Sequence, residues 1–482
     1  MARLFFINVF IIFFFSSCKK DPIIYDGKSG FPDGIEQIMI SKCATSGCHN
    51  QKSKEASAGL SLETWEDLFL GARGGAVAIP YQSNFSPLCF IVNTFPELGP
   101  ILKPTMPINL PALSREDYQK IKSWILVGAP NSKGKVKFED NVNRNKFYVI
   151  NHLCDVVTVV DGESLLAMRY INVGVKATIE FPSTVKVSPD KKNWYVSFMS
   201  SGLFQKFNCE NDALDGQIDL GAGSWFSFNI TNDSKYAFCV KVDNPGEIAV
   251  VDLSNMTLLS TNTFSGKLNY PNNGTINSQS ILYVCPQQGN FIYKIDYSII
   301  NSPVLTSVPV DGSTILNYNA SVDPTQIIFD NSTNRYFVLC VGSYNIMVMD
   351  AAKDSLLAIL PSGFYPQQAC INESNQKLLV TCPEDTMAFP GLIGAVYCYN
   401  LSTLTLENKI YTGTEPYGIA FNSKANVICV SNMNIKSGGS EPHHTSNCGG
   451  RNGSITFLNP NTYQKIKPNY EAAVVPYYVG TR

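Results

Sequence analysis

One strand-like run recurs seven times along the second part of the chain: KFYVIN (146–151), NWYVSF (193–198), KYAFCV (235–240), ILYVCP (281–286), RYFVLC (335–340), KLLVTC (377–382) and NVICVS (426–431). After each, a polar loop leads to a second run: VVTVVD (156–161), LFQKF (203–207), EIAVVD (247–252), FIYKID (291–296), NIMVMD (345–350), AVYCYN (395–400) and SITFLN (454–459). The pairs are spaced by about 42–54 residues, the period of a four-stranded blade. A unit that cannot bury both faces alone must stack on its neighbours. Seven such units closing on themselves predict an all-β seven-bladed propeller over residues 142–482.

Punctuation within the repeats sharpens that expectation. Pro182, Pro271, Pro324, Pro366, Pro416 and Pro476 each precede the innermost strand of a repeat, and only the repeat near Trp225 lacks one. The chain enters its first repeat at the second strand. The missing inner strand is expected from PYYVG at 476–480, so that both ends complete one blade and no sheet edge is left open. YVIN with VVTVVD, Ser188-Pro189-Asp190 and Gly413-Thr414-Glu415-Pro416 resemble the YVTN-type repeats of β-propellers, over about residues 142–482.

Ahead of the repeats lies a different kind of sequence. Residues 1–18 read MARLFFINVFIIFFFSSC, one Arg and then a short apolar run, too short to span a bilayer comfortably. Phe15-Ser16-Ser17-Cys18 resembles the lipobox of bacterial lipoproteins, although Phe15 departs from the usual Leu. The resemblance implies cleavage before Cys18, lipidation of Cys18 and a tether over residues 19–32. The alternative is an ordinary secretory signal with an incidental cysteine. Either reading sends the mature chain outside the cytoplasm, and the first anchors it to a bacterial membrane, in the periplasm or at the cell surface.

From Gly34 the chain reads GIEQIMISKCATSGCHN, with Ile35, Ile38 and Met39 at helical spacing before Cys43. Cys43, four intervening residues, Cys48 and His49 resemble the attachment site of c-type cytochromes, in a variant of the usual two-residue spacing. Met106 follows in a Pro-flanked loop ahead of a helix with a Ser114/Asp117 capping box and Tyr118, Ile121, Trp124 and Ile125 along one face. That order resembles small class I cytochromes c. The resemblance implies a small all-α cytochrome c-like domain over residues 33–131, with one haem c held covalently by Cys43 and Cys48 and His49 and Met106 as axial ligands. With both axial positions filled, electron transfer is expected rather than catalysis at the iron. Read without the resemblance, Cys43–Cys48 is a small disulfide, His49 a surface residue and Met106 core filler. Residues 132–141, SKGKVKFEDN, read as a linker.

Cysteine placement separates two roles. Cys239, Cys285, Cys340, Cys382, Cys398 and Cys429 lie inside strand-like runs and read as buried free thiols. Cys154 and Cys448 lie instead in loops. His152, His443 and His444 lie in corresponding loops of the first and seventh repeats, which become neighbours when the ring closes. These residues are therefore expected on one arc of one face. Two readings stay open: a second, soft-metal site using His152, His443, His444 and Cys448, or a Cys154–Cys448 disulfide that pins the closure. The sixth repeat adds a long loop with Glu384 and Asp385, so blades 6, 7 and 1 offer a face for a ligand.

Charge narrows the partners. Thirty-seven Lys plus Arg stand against 39 Asp plus Glu, and no long basic tract supplies an electrostatic footprint for nucleic acid. The expected function is a membrane-anchored, extracytoplasmic haem protein that exchanges electrons with a redox partner protein, its propeller docking that partner or holding a substrate. Two alternatives differ in class. In one the propeller is a dehydrogenase or reductase and the haem its relay, resembling nitrite reductases that join a cytochrome c domain to an eight-bladed propeller. In the other the propeller is a surface binding module beside a vestigial first domain.

Overall fold

The computed structural model describes residues 28–436, 439 and 448–482. Residues 142–482 form seven four-stranded antiparallel sheets arranged as the blades of a propeller. Blade 1 has the strand order Pro476–Thr481, Lys146–Asn151, Val156–Asp161, Ala167–Asn172, so the last strand of the chain is the innermost strand of the first blade. The ring closes as the repeat predicts. The seam is hydrogen-bonded: Asn422 Nδ2 donates to Thr481 Oγ1 at 2.6 Å, and Ser431 Oγ donates to the Tyr477 carbonyl at 2.6 Å.

The position of a strand in its blade decides its burial. Lys146–Asn151 and Val156–Asp161 are buried throughout, because middle strands pack on both faces against neighbouring blades. Outer strands face solvent, as in Thr405–Ile410 and Leu214–Asp219. Aromatic residues fill the wedges between blades. Trp194 of blade 2 stacks on Tyr148 of blade 1 at 5.0 Å and on Phe207 at 4.0 Å. The six strand cysteines are fully buried and unpaired, acting as small apolar side chains.

The proline punctuation has a backbone counterpart. Phe181, Tyr270, Asp323, Tyr365, Glu415 and Val475, the residues immediately before the six prolines, all have φ between 42° and 57°. This left-handed residue turns the chain from a blade's outer edge into the next inner strand. Proline then supplies the fixed φ of the strand start without a ladder N–H. Accordingly the register shifts beside Pro182, Pro271, Pro324, Pro416 and Pro476.

Residues 28–131 are helical only in short pieces. The α-helices are α1 (Ile35–Ile38), α2 (Trp65–Leu68), α3 (Pro87–Val92) and α4 (Arg115–Leu126). The separate all-α domain expected from the sequence is not evident in this segment. The segment's apolar cluster, which includes Met39, Cys43, Trp65, Leu88, Ile121 and Ile125, continues into Tyr148, Ile150 and Met168 of blade 1. Helices of one turn cannot enclose a core alone, so they borrow the propeller's flank.

Gln82 makes the attachment specific. Its amide reads the exposed edge of blade 1, accepting from Tyr170 N at 2.7 Å and donating to Tyr170 O at 2.5 Å, while Phe85 stacks on the Tyr170 ring at 4.5 Å. The edge strand is thereby partly covered. Gly75 permits the close approach at blade 7: a Cβ there would lie 3.0 Å from Tyr470 Cβ.

Residues 132–141 pack as a strap rather than run free. Val136 and Phe138 are buried, alternating with Lys135 and Lys137; Phe138 meets the Phe69 ring edge-on at 6.3 Å, and Lys137 Nζ lies 3.0 Å from Glu66 Oε2. Among the described residues no helix is long and apolar enough to cross a membrane.

Candidate functional site

The loop bearing Cys43, Cys48 and His49 is closed by its own backbone. α1 passes into a wider turn, Met39–Cys43, and the Cys43 carbonyl then accepts from His49 N at 3.0 Å. Cys48 N donates to Thr45 O at 3.0 Å, and Ser53 Oγ and Ser57 Oγ both donate to the Cys48 carbonyl, at 2.5 and 2.9 Å. Asn50 braces the loop from inside, donating from Nδ2 to Thr45 O at 2.7 Å and accepting at Oδ1 from Lys52 N and Ser53 N. Gly47, with φ of 80°, makes the turn between the two cysteines.

Neither thiol is in a disulfide. Cys43 is buried and Cys48 is partly exposed. Burial first, and then the neighbouring Cys48, push the Cys43 thiol up to about 12, with Lys42 acting weakly the other way. Burial therefore favours the protonated thiol. Burial likewise pulls the His49 imidazole below its usual range, against the backbone carbonyls of Leu60 and Ser57. His49 Nδ1 is buried and lacks a hydrogen-bond partner of normal geometry.

α4 sets the opposite wall. Ser114 caps it by accepting from Asp117 N at 3.1 Å, and Tyr118, Ile121, Trp124 and Ile125 are its buried face, as the spacing predicts. Asp117 also binds Lys42 at 2.9 Å, which ties the turn before Cys43 to the start of α4. Trp124 Nε1 and Trp65 Nε1 donate to the carbonyls of Pro130 and Ala129, each at 2.8 Å. Met106 is half-buried against the apolar cluster that contains Cys43, and its N–H donates to Ile91 O at 2.8 Å. That bond anchors the Met loop to α3. Cys89, on α3, is a buried thiol pushed up to about 12 by burial.

On the propeller, Cys154 and Cys448 form a disulfide with a Cα–Cα separation of 5.4 Å. The bond joins corresponding loops of blades 1 and 7 and takes Cys448 out of any thiolate ligand set. His152 is turned inward: Nδ1 lies 2.8 Å from the Pro182 carbonyl, and the ring stacks on Tyr477 at 4.9 Å. Among the described residues no group of three or more His, Cys, Asp or Glu side chains could hold a metal ion. His443 and His444, together with Cys18, lie outside the described residues.

Two cavities open beside these elements. One of about 410 Å³ lies between the N-terminal segment and blades 1 and 7, walled by Phe85, Phe90, Tyr170, Tyr470 and the Cys154–Cys448 bond. The other, about 390 Å³, is lined by Phe226, Asn272, Thr325, Gln368, Tyr417 and Tyr477, contributed by six different blades, and so lies at a mouth of the axial channel. Apart from Cys154 and Cys448, the sequence reading gave no site role to the residues that line them, because inner-strand amides and scattered aromatic side chains carry no motif.

Neither a protein-family model nor a curated protein matches the sequence. Solved structures share the fold at low identity. A structure described as dihydro-heme d1 dehydrogenase NirN in complex with DHE is 11% identical with a TM-score of 0.51, covering 85% of this chain and 94% of its own. A functionally unknown protein from Desulfotomaculum acetoxidans is 13% identical with a TM-score of 0.52, covering 70% and 98%. Kuenenia stuttgartiensis hydrazine synthase is 15% identical with a TM-score of 0.47, covering 64% and 90%. The first two likenesses concern the fold alone, and a fold does not carry a function with it.

Proposed function

We propose that this chain is an extracytoplasmic, lipid-anchored c-type haem protein that transfers electrons, with a propeller that docks a redox partner or holds a substrate. The observation that carries the reading is the Cys43–His49 loop: two thiols not bonded to each other, on a backbone closed by its own hydrogen bonds, next to an imidazole whose buried Nδ1 is unpartnered. A disulfide or a surface histidine would account for neither feature. The dehydrogenase of comparable fold is by its name a protein that acts on a haem compound, which is in keeping with the reading.

The donor set fits the group. Cys43 and Cys48 would hold haem through thioether bonds, and His49 and Met106 would ligate its iron. When bound, haem supplies reversible one-electron chemistry. The residues around it have separate tasks. The buried Cys43 thiol, costly to ionise where it stands, would stay in place as one of the two sulfurs that hold the group. Burial, opposed by the carbonyls of Leu60 and Ser57, favours the neutral imidazole of His49, the form that can donate a lone pair. The Ile91 carbonyl holds the Met106 backbone, so the thioether side chain is presented from an anchored loop.

The test is expression with export in a host that attaches haem covalently. Colour that survives acid–acetone, with a matching gain in intact mass, is expected for the wild type and lost in Cys43→Ala/Cys48→Ala. Met106→Ala should keep the colour and lower the reduction potential, since the thioether favours ferrous iron. A wild-type protein that loses all colour to acid–acetone would sink the proposal. Turnover of an electron-donating substrate by the colourless double variant would favour the propeller-enzyme reading instead.

A further inference from the structure

Lys186 stands apart from the other partly buried strand lysines. Lys146, Lys206, Lys241, Lys294 and Lys377 each face a carboxylate, at 2.7, 3.1, 3.0, 2.5 and 2.6 Å respectively. Lys186 lies on Pro182–Val187, the innermost strand of blade 2, and reaches the innermost strand of blade 3, where Nζ donates to Asn229 Oδ1 at 2.7 Å. No carboxylate joins it within ion-pair distance among the described residues. Burial pushes its ammonium down to about 7, and no charged neighbour offsets that shift.

Asn229 adds the second half of the site. It is 3% exposed, and an ammonium can only donate, so the contact with Lys186 fixes Oδ1 toward the lysine and Nδ2 away from it. Nδ2 is buried and has no hydrogen-bond partner. On the next inner strand stands Gly274, where a Cβ would lie 3.3 Å from that Nδ2. A Cβ there would also lie 2.5 Å from the Tyr283 carbonyl oxygen, so only glycine lets this strand run so close to Asn229. A cation without a counter-ion and an amide donor without an acceptor therefore adjoin each other on strands that line the axial channel. Each is costly when left unmet.

We propose that the axial channel binds a small planar oxyanion, a carboxylate or a nitrate-like group, with one oxygen on Lys186 Nζ and a second on Asn229 Nδ2. A two-oxygen edge matches the two adjacent donors, and the ammonium supplies a charge-assisted bond. The site uses no residue of the Cys43–His49 loop, so it stands whether or not haem is attached there.

The experiment is calorimetric titration of the full chain with sodium acetate and, separately, sodium nitrate, each against sodium chloride at equal ionic strength. Saturable binding of acetate marks a carboxylate site, and of nitrate an inorganic oxyanion site; either supports the proposal. Lys186→Met should weaken it by about tenfold or more, as loss of a hydrogen bond to a charged group requires. Asn229→Asp should abolish it by placing the protein's own carboxylate against the ammonium, and should raise thermal stability at the same time. Both variants keep side-chain volume, and unchanged circular dichroism reports their folding. The absence of saturable binding by either anion would overturn the proposal, as would binding that both variants leave unchanged.

Discussion

Removing the Cys154–Cys448 bond measures how much of the ring's stability resides in closing the chain upon itself. The cysteines are 294 residues apart, and the chain-entropy relation for a loop of that length gives about 5–6 kcal/mol at 25 °C. Observed disulfide effects reach at most about 5 kcal/mol, so a loss of about 3–5 kcal/mol is expected from Cys154→Ala/Cys448→Ala. The double variant should still fold. Its seam keeps the ladder between Lys146–Asn151 and Pro476–Thr481 and the bonds from Asn422 and Ser431 to the last strand. The assay is urea unfolding of wild type and variant, with alkylation and mass analysis to establish that the wild-type bond is formed. The midpoint should fall and the denaturant slope should rise, because the unlinked unfolded chain exposes more surface. A wild type with the bond intact and a variant within about 1 kcal/mol of it would refute the reasoning, since the loop is among the longest a single chain can close.

Other perturbations address the packing that positions the sites. Asp212→Ala leaves Lys146, whose side chain is 2% exposed, with carbonyl partners only, and should cost about 3–5 kcal/mol in chemical unfolding; Lys146→Met/Asp212→Leu should recover most of that. Gln82→Ala removes both hydrogen bonds to Tyr170 and should cost about 1–3 kcal/mol locally, read as faster amide exchange at Tyr170 with little change at Val157. For His152, burial lowers the folded-state pKa below the ordinary 6.5 despite the Pro182 carbonyl. The unfolded chain therefore takes up its proton first. Stability should hold above that value and fall as pH drops from it toward the folded pKa. A His152→Gln protein should lack this part of the decline in thermal midpoint, and equal slopes for both proteins would count against the assignment.

The repeat was fully legible because blade strands obey short-range rules. Runs such as KFYVIN and VVTVVD have both faces buried and read as continuous apolar stretches, and their ends match the observed strands Lys146–Asn151 and Val156–Asp161. Closure by the last strand followed from counting strands. The α4 face was equally readable, since helical spacing and a capping pair are local. The packing of residues 132–141 was not. Val136 and Phe138 sit among lysines in a polar stretch, and only the proximity of Phe69 and Glu66 makes them a packed strap.

The same division runs through the candidate sites. Sequence alone determined the number of blades, the loop that carries Cys43, Cys48 and His49, and the loops that carry Cys154 and Cys448, because each is set by residue type and spacing along the chain. Tertiary structure decided that Cys154 and Cys448 are bonded, that His152 turns inward onto Tyr477, and that Lys186 meets Asn229 with no carboxylate beside them. Those outcomes depend on which side chains of different blades converge at the ring's seam and axis. Convergence is a property of the closed ring, and no stretch of a single strand contains it.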